Sequence, residues 1–525
     1  MLDTSKLPDS VEELKKIIQL QQKEITAKQE TINIQKEKIN QLENKLFGRK
    51  SEKWTKQEKE EALLFNEIET YLHTDEVGVN TDKKQPELID VKSHTRVKTG
   101  RRPLPAYLER RVVPHDIDES EKICKCGSSL NKIGEEISEK LQMEPPKAYV
   151  NRHIRFKYSC PKCEGLEDDT KPAVKIAPVP KQIVPKSQIG HTLLAYFLIA
   201  KFADGIPFYR MENILSRSGI DISRTTMCNS AITAYHAIKP VTDSILEYIL
   251  SSPYLQIDET RLQVLKEPGR SPTALSYVWV FYGKIHDKPF VYYHYEPTRS
   301  AQFMKTWFQN FNGIVHTDGY PSYDSFFEEF PNITHASCWV HARRKFIESK
   351  KAQPRGTKNT SIDWILDRIG DLYQIEELAK EQALNEDELL KLRQDKSKLI
   401  VEELKAELDK LSLTVLTGSS FGKAISYTLG QWTKLLVFLD NPKVKLDTND
   451  VENRIRPFVI GRKNWLFSAS VDGARASMAY YTLIENAKLS GIDPYTYLKN
   501  LFETYEKENQ PLDLNLSPAF FHTVV

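Results

Sequence analysis

Cysteine is scarce in this chain. Six among 525 residues are too few for a disulfide scaffold, and in a reducing compartment closely spaced cysteines point to metal rather than to bridges. Long apolar runs are missing too. None approaches the roughly 18 residues of a membrane helix, so no membrane contact is expected. The opening residues Met1-Leu2-Asp3-Thr4-Ser5-Lys6 lack the basic-then-apolar order of a secretion signal, which points to the cytoplasm. Charge of one sign is not in excess: charged residues make up 28% and the net is +2. The chain is therefore no polycation, and phosphate contacts must come from local basic patches. There is no internal repeat and no low-complexity tract. What is present is length for about three to five domains and 40% hydrophobic residues, enough for a sizeable core.

The N-terminal segment, residues 1–50, reads as one long helix. Val11, Ile18, Ile25, Ile32, Ile39 and Leu46 recur at a seven-residue step, which keeps one stripe facing a partner helix. The companion positions Leu14, Gln21, Lys28, Gln35 and Leu42 are apolar only at the two ends. The spacing suggests a short coiled coil pairing two or more copies of the chain; the competing reading is a solvated helix packed on its own protein. Gly48 ends it, and residues 51–103 form a basic linker that includes Lys98-Thr99-Gly100-Arg101-Arg102-Pro103.

Residues 104–175 hold four of the six cysteines. Cys124 and Cys126 lie in Ile-Cys-Lys-Cys-Gly, and Cys160 and Cys163 in Ser-Cys-Pro-Lys-Cys-Glu. Four thiolates from two tight turns suit one tetrahedral, structural Zn2+. The first pair is one residue tighter than usual, which leaves His115 as an alternative to Cys124. Val150 to Tyr158 alternates like a strand, as in a small β-rich finger.

Residues 181–245 are helical in pattern. A helix from Pro207-Phe208, a turn at Gly219-Ile220-Asp221-Ile222-Ser223 and a second helix opening Arg224-Thr225-Thr226 resemble a helix-turn-helix. Ser223 is the expected N-cap. Arg224 and Thr225 would meet DNA, and Cys228 reads as core. An ordinary helical hairpin would carry the same pattern.

Residues 250–346 switch to strand patterning. Tyr254-Leu255-Gln256-Ile257-Asp258 reads as a strand ending in acid, with further strands at Tyr277–Tyr282 and Phe290–Tyr295. Gly313-Ile314-Val315-His316-Thr317 then delivers Asp318. Helical sequence rich in Glu, Lys and Leu fills 347–440, and residues 441–505 carry Asp447-Thr448-Asn449-Asp450-Val451-Glu452-Asn453-Arg454-Ile455-Arg456-Pro457 at a helix start; residues 506–525 form a tail. In an α/β, ribonuclease-H-like sheet the first and fourth strands are neighbours, so Asp258 and Asp318 would sit side by side. Like charges that close are unfavourable unless a cation binds between them. Two Mg2+ (or Mn2+) ions about 3.5–4 Å apart would satisfy them, with Glu452 as third ligand, and are suited to phosphodiester cleavage. Arg456 lies four residues from Glu452 on one helical face, and Arg462 and Lys463 continue a basic edge. Cys338 reads as packing, with a His341–Arg344 edge facing DNA.

Taken in order, these stretches resemble transposases of the insertion sequence 66 family, bacterial enzymes with a DDE triad. The resemblance rests on Leu46-Phe47-Gly48-Arg49-Lys50-Ser51-Glu52-Lys53, the cysteine finger with Ile133-Gly134-Glu135-Glu136 inside it, and Pro207-Phe208-Tyr209-Arg210. It continues through Asp258-Glu259-Thr260, Thr317-Asp318-Gly319-Tyr320, Cys338-Trp339-Val340-His341-Ala342-Arg343-Arg344-Lys345-Phe346, Glu452-Asn453-Arg454-Ile455-Arg456-Pro457 and Gly461-Arg462-Lys463-Asn464-Trp465-Leu466-Phe467. It implies DNA cleavage and joining at element ends, and terminal inverted repeats and target DNA as partners. It also implies a zipper, a finger, a helical insertion and helper proteins of the same element. It maps the triad onto Asp258, Asp318 and Glu452, in preference to Asp450. A DNA-binding relic without catalysis and a structure-specific nuclease are the rival functions.

Overall fold

A computed structural model describes residues 10–47, 147–159, 174–353, 360–507 and 512–520. The chain divides into two compact units, Glu76–Val179 and the remainder. In the smaller unit, strands β1 (Lys157–Ser159) and β2 (Val174–Ile176) pair antiparallel. The strand expected from Val150 is thus confined to its last residues. Cys124, Cys126, Cys160, Cys163 and His115 lie outside the described residues, as does the 51–103 linker.

The larger unit opens with helix α1 (Val11–Phe47). Its heptad stripe is uncovered: Val11, Ile18, Ile25, Ile32 and Ile39 are 43–68% exposed. A different face meets the chain itself, where Glu37 accepts the Ser420 amide at 3.0 Å and Asn40 approaches the Ala352 carbonyl at 3.5 Å. Helices α2 (His191–Phe202), α3 (Phe208–Arg217) and α4 (Arg224–Ile249) follow. Gly219, at φ +75°, turns the chain between α3 and α4, and the Ser223 hydroxyl caps α4 by accepting the Thr226 amide at 3.2 Å.

Next comes a meander of β3 (Tyr254–Lys266), β4 (Leu275–Ile285) and β5 (Lys288–Glu296). A short helix α5 (Lys305–Phe308) leads to β6 (Gly313–Thr317), α6 (Pro321–Phe327) and β7 (Ile333–Ser337). The strand order is β5-β4-β3-β6-β7, antiparallel across the meander and parallel from β3 to β6 to β7. β3 does not end at Asp258 as the sequence pattern suggests. It runs eight residues further, because Leu262 and Val264 continue the buried alternation. Asp258 is therefore a mid-strand residue.

Helices α7 (Trp339–Ala352), α8 (Thr360–Glu381), α9 (Glu386–Leu392), α10 (Lys398–Thr414), α11 (Ser420–Gly430), α12 (Trp432–Leu435) and α13 (Val437–Asp440) follow, and all but α9 contribute to a second apolar cluster beside the sheet. The chain then returns through α14 (Asn449–Trp465), β8 (Ser468–Ser470), α15 (Val471–Leu489) and α16 (Pro494–Lys507). β8 pairs parallel with the end of β3. α15 covers β5: Thr482 Oγ1 accepts the Tyr293 amide at 3.0 Å, and Asn486 bonds the Val291 amide and carbonyl at 3.2 and 2.7 Å. Backbone groups that would make β5 a sticky edge are thereby satisfied. The fold is mixed α/β and mostly helical. Among the described residues, no helix is long and apolar enough to cross a membrane.

Candidate active site

The two aspartates are brought level by strand register. β3 and β6 pair Tyr254 with Ile314, Leu255 with Val315 and Gln256 with His316. Two residues further along the same register stand Asp258 and Asp318. The Thr317 hydroxyl donates to the Asp318 carbonyl at 2.7 Å, and Asp318 Oδ1 accepts the Tyr320 amide at 3.1 Å, which holds the turn after β6.

Glu452 arrives on α14, which lies along the face of β3 that carries Gln256, Asp258 and Thr260. Gln256 is fully buried, and its Oε1 accepts the Val451 amide at 3.1 Å. Its Nε2 donates to the Tyr254 hydroxyl at 3.1 Å, which in turn meets His316 Nδ1 at 2.8 Å. At the other end of α14, Arg462 reaches Thr260 Oγ1 at 3.3 Å and the Arg261 carbonyl. Asp258 lies between these anchors. Glu452 is 5% exposed, whereas Asp450 turns outward to pair with Lys445 at 2.6 Å.

The electrostatics set Asp258 apart. Its carboxyl is pushed well above the usual carboxylate range by burial, then by the nearby charges of Glu259, Glu452 and Asp318; the Glu259 amide, 2.8 Å from Oδ1, opposes the shift. Glu259, adjacent in the strand, points to the opposite face. There Arg299 and the Tyr323 hydroxyl hold it. Arg299 also stacks on Tyr320 at 3.5 Å and lies 3.7 Å from Asp318. Burial keeps His316 and His341 neutral, with pKa values lowered to about 3. Among the described residues, no three His, Cys, Asp or Glu side chains are drawn together tightly enough to hold a metal ion as they stand. The chemistry of the donor set nonetheless fits a cation: a half-buried acid whose electrostatic neighbours are other acids favours a positive charge beside it.

Several contributors carry no signal in the sequence. Tyr427, from α11, accepts the Gly319 amide at 3.1 Å, and a Cβ on Gly319 would come within 2.3 Å of that hydroxyl. The helical insertion therefore touches the Asp318 turn. Gln431 and Lys434 reach Asp324 at 3.0 and 2.6 Å. Arg393 is 1% exposed; it binds both Glu376 oxygens and the carbonyls of Phe438, Asn441 and Val444, pinning the segment that leads to α14.

The expected DNA-contacting residues are scattered. Arg224 and Thr225 are exposed at the start of α4, Lys463 is exposed, and Arg456 and Arg462 are half-buried. His341 is half-buried and Arg344 is 9% exposed, so the edge expected from helical spacing lies largely beneath the surface. Cys338 is packed at 1% exposure. Cys228 is exposed rather than core, because the buried face of α4 runs through Met227, Ser230, Ala231 and Ala234, one step around the helix.

With this arrangement in place, known proteins supply its context. Residues 186–476 match the family described as "Transposase IS66 family". Residues 121–164, which contain all four finger cysteines, match the "zinc-finger binding domain of transposase IS66". Residues 35–113 match "Transposase C of IS166 homeodomain". The chain belongs to the IS66 transposase family. Similar proteins in Sinorhizobium fredii (strain NBRC 101917 / NGR234) include the uncharacterized protein y4jD, 32% identical over 82% of this chain and 84% of its own length. The uncharacterized protein y4hP is 28% identical over 88% and 83% of the two chains, and y4qI is 31% identical over 83% and 79%.

Proposed function

We propose that this chain is a DDE transposase that cleaves and joins DNA strands at the ends of an insertion sequence, with Asp258, Asp318 and Glu452 as its catalytic carboxylates. The observation that carries the reading is the level placement of Asp258 and Asp318 along neighbouring parallel strands, with Glu452 on the helix packed along β3. The strand order, an antiparallel meander flanked by two parallel strands, supports a ribonuclease-H-like core interrupted by the 347–440 insertion.

The three carboxylates would hold two Mg2+ or Mn2+ ions, which when bound activate the attacking oxygen and stabilise the leaving one. The protein's own part is positional. Gln256 holds the first turn of α14, Tyr427 holds the Gly319 amide, and Arg299 neutralises Glu259 so that it does not compete for the cation. Arg224, Thr225, Arg456, Arg462 and Lys463 contact the DNA backbone or bases, with His341 and Arg344 supporting from below. Cys124, Cys126, Cys160 and Cys163 bind one structural Zn2+. The uncovered isoleucine stripe of α1 supports pairing with a second copy.

The decisive experiment uses purified protein, Mg2+ and duplexes carrying the inverted repeats that flank this gene. Cleavage and joining are expected from the wild type, and neither from Asp318→Ala, which still binds the duplex. Normal joining by Asp318→Ala would sink the catalytic assignment. Binding without any cleavage by the wild type would leave a DNA-binding protein.

A further inference from the structure

The end of α14 carries a strained, exposed apolar tip that the carboxylate chemistry does not use. Leu466 has φ +67° and ψ −51°, and the Phe467 amide donates to the Trp465 carbonyl at 2.9 Å. This is a three-residue γ-turn of the rare positive-φ kind, which a branched side chain adopts only under strain. Glycine would relieve it, yet the apex is leucine, 63% exposed, followed by phenylalanine at 42%. Packing does not compensate the strain.

The tip is nonetheless rigidly mounted. Before it, Trp465 packs edge-on against Phe458 with ring centroids 5.5 Å apart. After it, Ser468 pairs with Val264 of β3. Its surroundings are basic: Arg462 lies on Thr260 and Arg261, Arg261 and Lys463 are exposed, and the charge of Arg261 repels that of Arg462. Arg261 stands three residues along β3 from Asp258, about 10 Å at the usual rise of a strand. An apolar tip with Arg462 and Lys463 just before it on its own helix, and Arg261 on the neighbouring strand, complements a polyanion with apolar faces inside it. Base-paired DNA is that ligand: phosphates outside, bases within.

We propose that the Trp465–Phe467 turn is a base-unstacking wedge, with Leu466 and Phe467 entering the base stack of DNA whose backbone lies on Arg261, Arg462 and Lys463. The inference rests on the reading of the chain as a DNA-acting transposase, and adds how DNA is deformed at the site. A wedge must hold its side chains outward before DNA arrives, which accounts for a strained turn whose apex is largely exposed.

The test uses the full chain and a nicked duplex of arbitrary sequence with 2-aminopurine beside the nick. The wild type is expected to raise the fluorescence as the base unstacks. The Leu466→Gly/Phe467→Ser double variant should lose the rise and bind about ten-fold more weakly. Its melting temperature should match or exceed that of the wild type, since glycine accepts the positive φ. Phe467→Trp should keep the rise, which separates stacking from loss of fold. A full rise from the double variant overturns the wedge. So does binding by the wild type with no rise, or a double variant that changes only self-association in sedimentation. Failure of the wild type to bind any duplex sinks the transposase reading as well, and is distinguished from the other outcomes by the binding curve alone.

Discussion

Along and just beyond strand β3, the fold treats its carboxylates in opposite ways. At its far end, Glu267, with a side chain 3% exposed, is met by Arg270 at 2.6 Å and by the hydroxyls of Ser276 and Tyr295. Glu485 is handled alike, with Lys488 at 2.8 Å and Arg454 at 3.5 Å. In mid-strand, Asp258 faces other acids. A buried charge ordinarily persists only when paired and hydrogen-bonded. The compensated carboxylates are structural. Under the proposed function, the uncompensated one would be held for a cation that the protein chain does not provide.

The largest test of that contrast is functional. Asp258→Asn and Asp318→Asn should each lower strand cleavage by roughly a thousand-fold or more, whereas Glu267→Gln should leave the rate of the folded protein unchanged. Gel assays with flanking-repeat duplexes measure both, and a fully active Asp258→Asn would erase the distinction. Stability should rank the sites the other way. Glu267→Leu and Arg393→Ala each strand buried polar partners and should cost about 3–5 kcal/mol in urea unfolding. A loss below about 1 kcal/mol at Arg393 would mean that its five hydrogen bonds are dispensable.

Removing the charge at Asp258 should stabilise the metal-free protein. Its pKa is raised in the folded chain, so the unfolded chain ionises first and stability declines as pH rises through the folded value. Asp258→Asn should therefore melt higher at neutral pH, by roughly 2–4 °C. The gain should vanish below about pH 4, where the unfolded acid is protonated as well. Mg2+ should raise the wild-type melting temperature and not that of Asp258→Asn. The reverse ordering in a thermal scan would refute the cation reading without any activity measurement. The smallest effect is expected at Tyr427→Phe, which removes one hydrogen bond to Gly319 and should slow cleavage by about ten-fold or less. Gly319→Ala, which forces a Cβ onto Tyr427, should be the more severe of the pair. Equal rates for both would separate the insertion from the Asp318 turn.

Much of the fold was legible from pattern alone. The long N-terminal helix, the Ser223 cap, the meander, β6 with its trailing Asp318, and the helical 347–440 stretch follow from periodicity and punctuation, which are local properties. The errors were also local. An acid within an alternating run looks like a strand end, which hides the second half of β3, and Cys228 reads as core because a neighbouring helical position is. Tyr427, Arg393 and Gln256 were invisible, since each is an ordinary residue made important by a partner far along the chain.

By itself, the sequence determined which acids stand on a strand and at a helix start, and which stretches are strand or helix. Only the tertiary structure decided that Asp258 and Asp318 stand level, that Glu452 rather than Asp450 turns inward, and that Glu267 is satisfied while Asp258 is not. The reason is physical. Propensity and periodicity act over a few neighbouring residues, whereas charge compensation depends on groups that meet across strand pairing and helix packing, separated by many residues of chain.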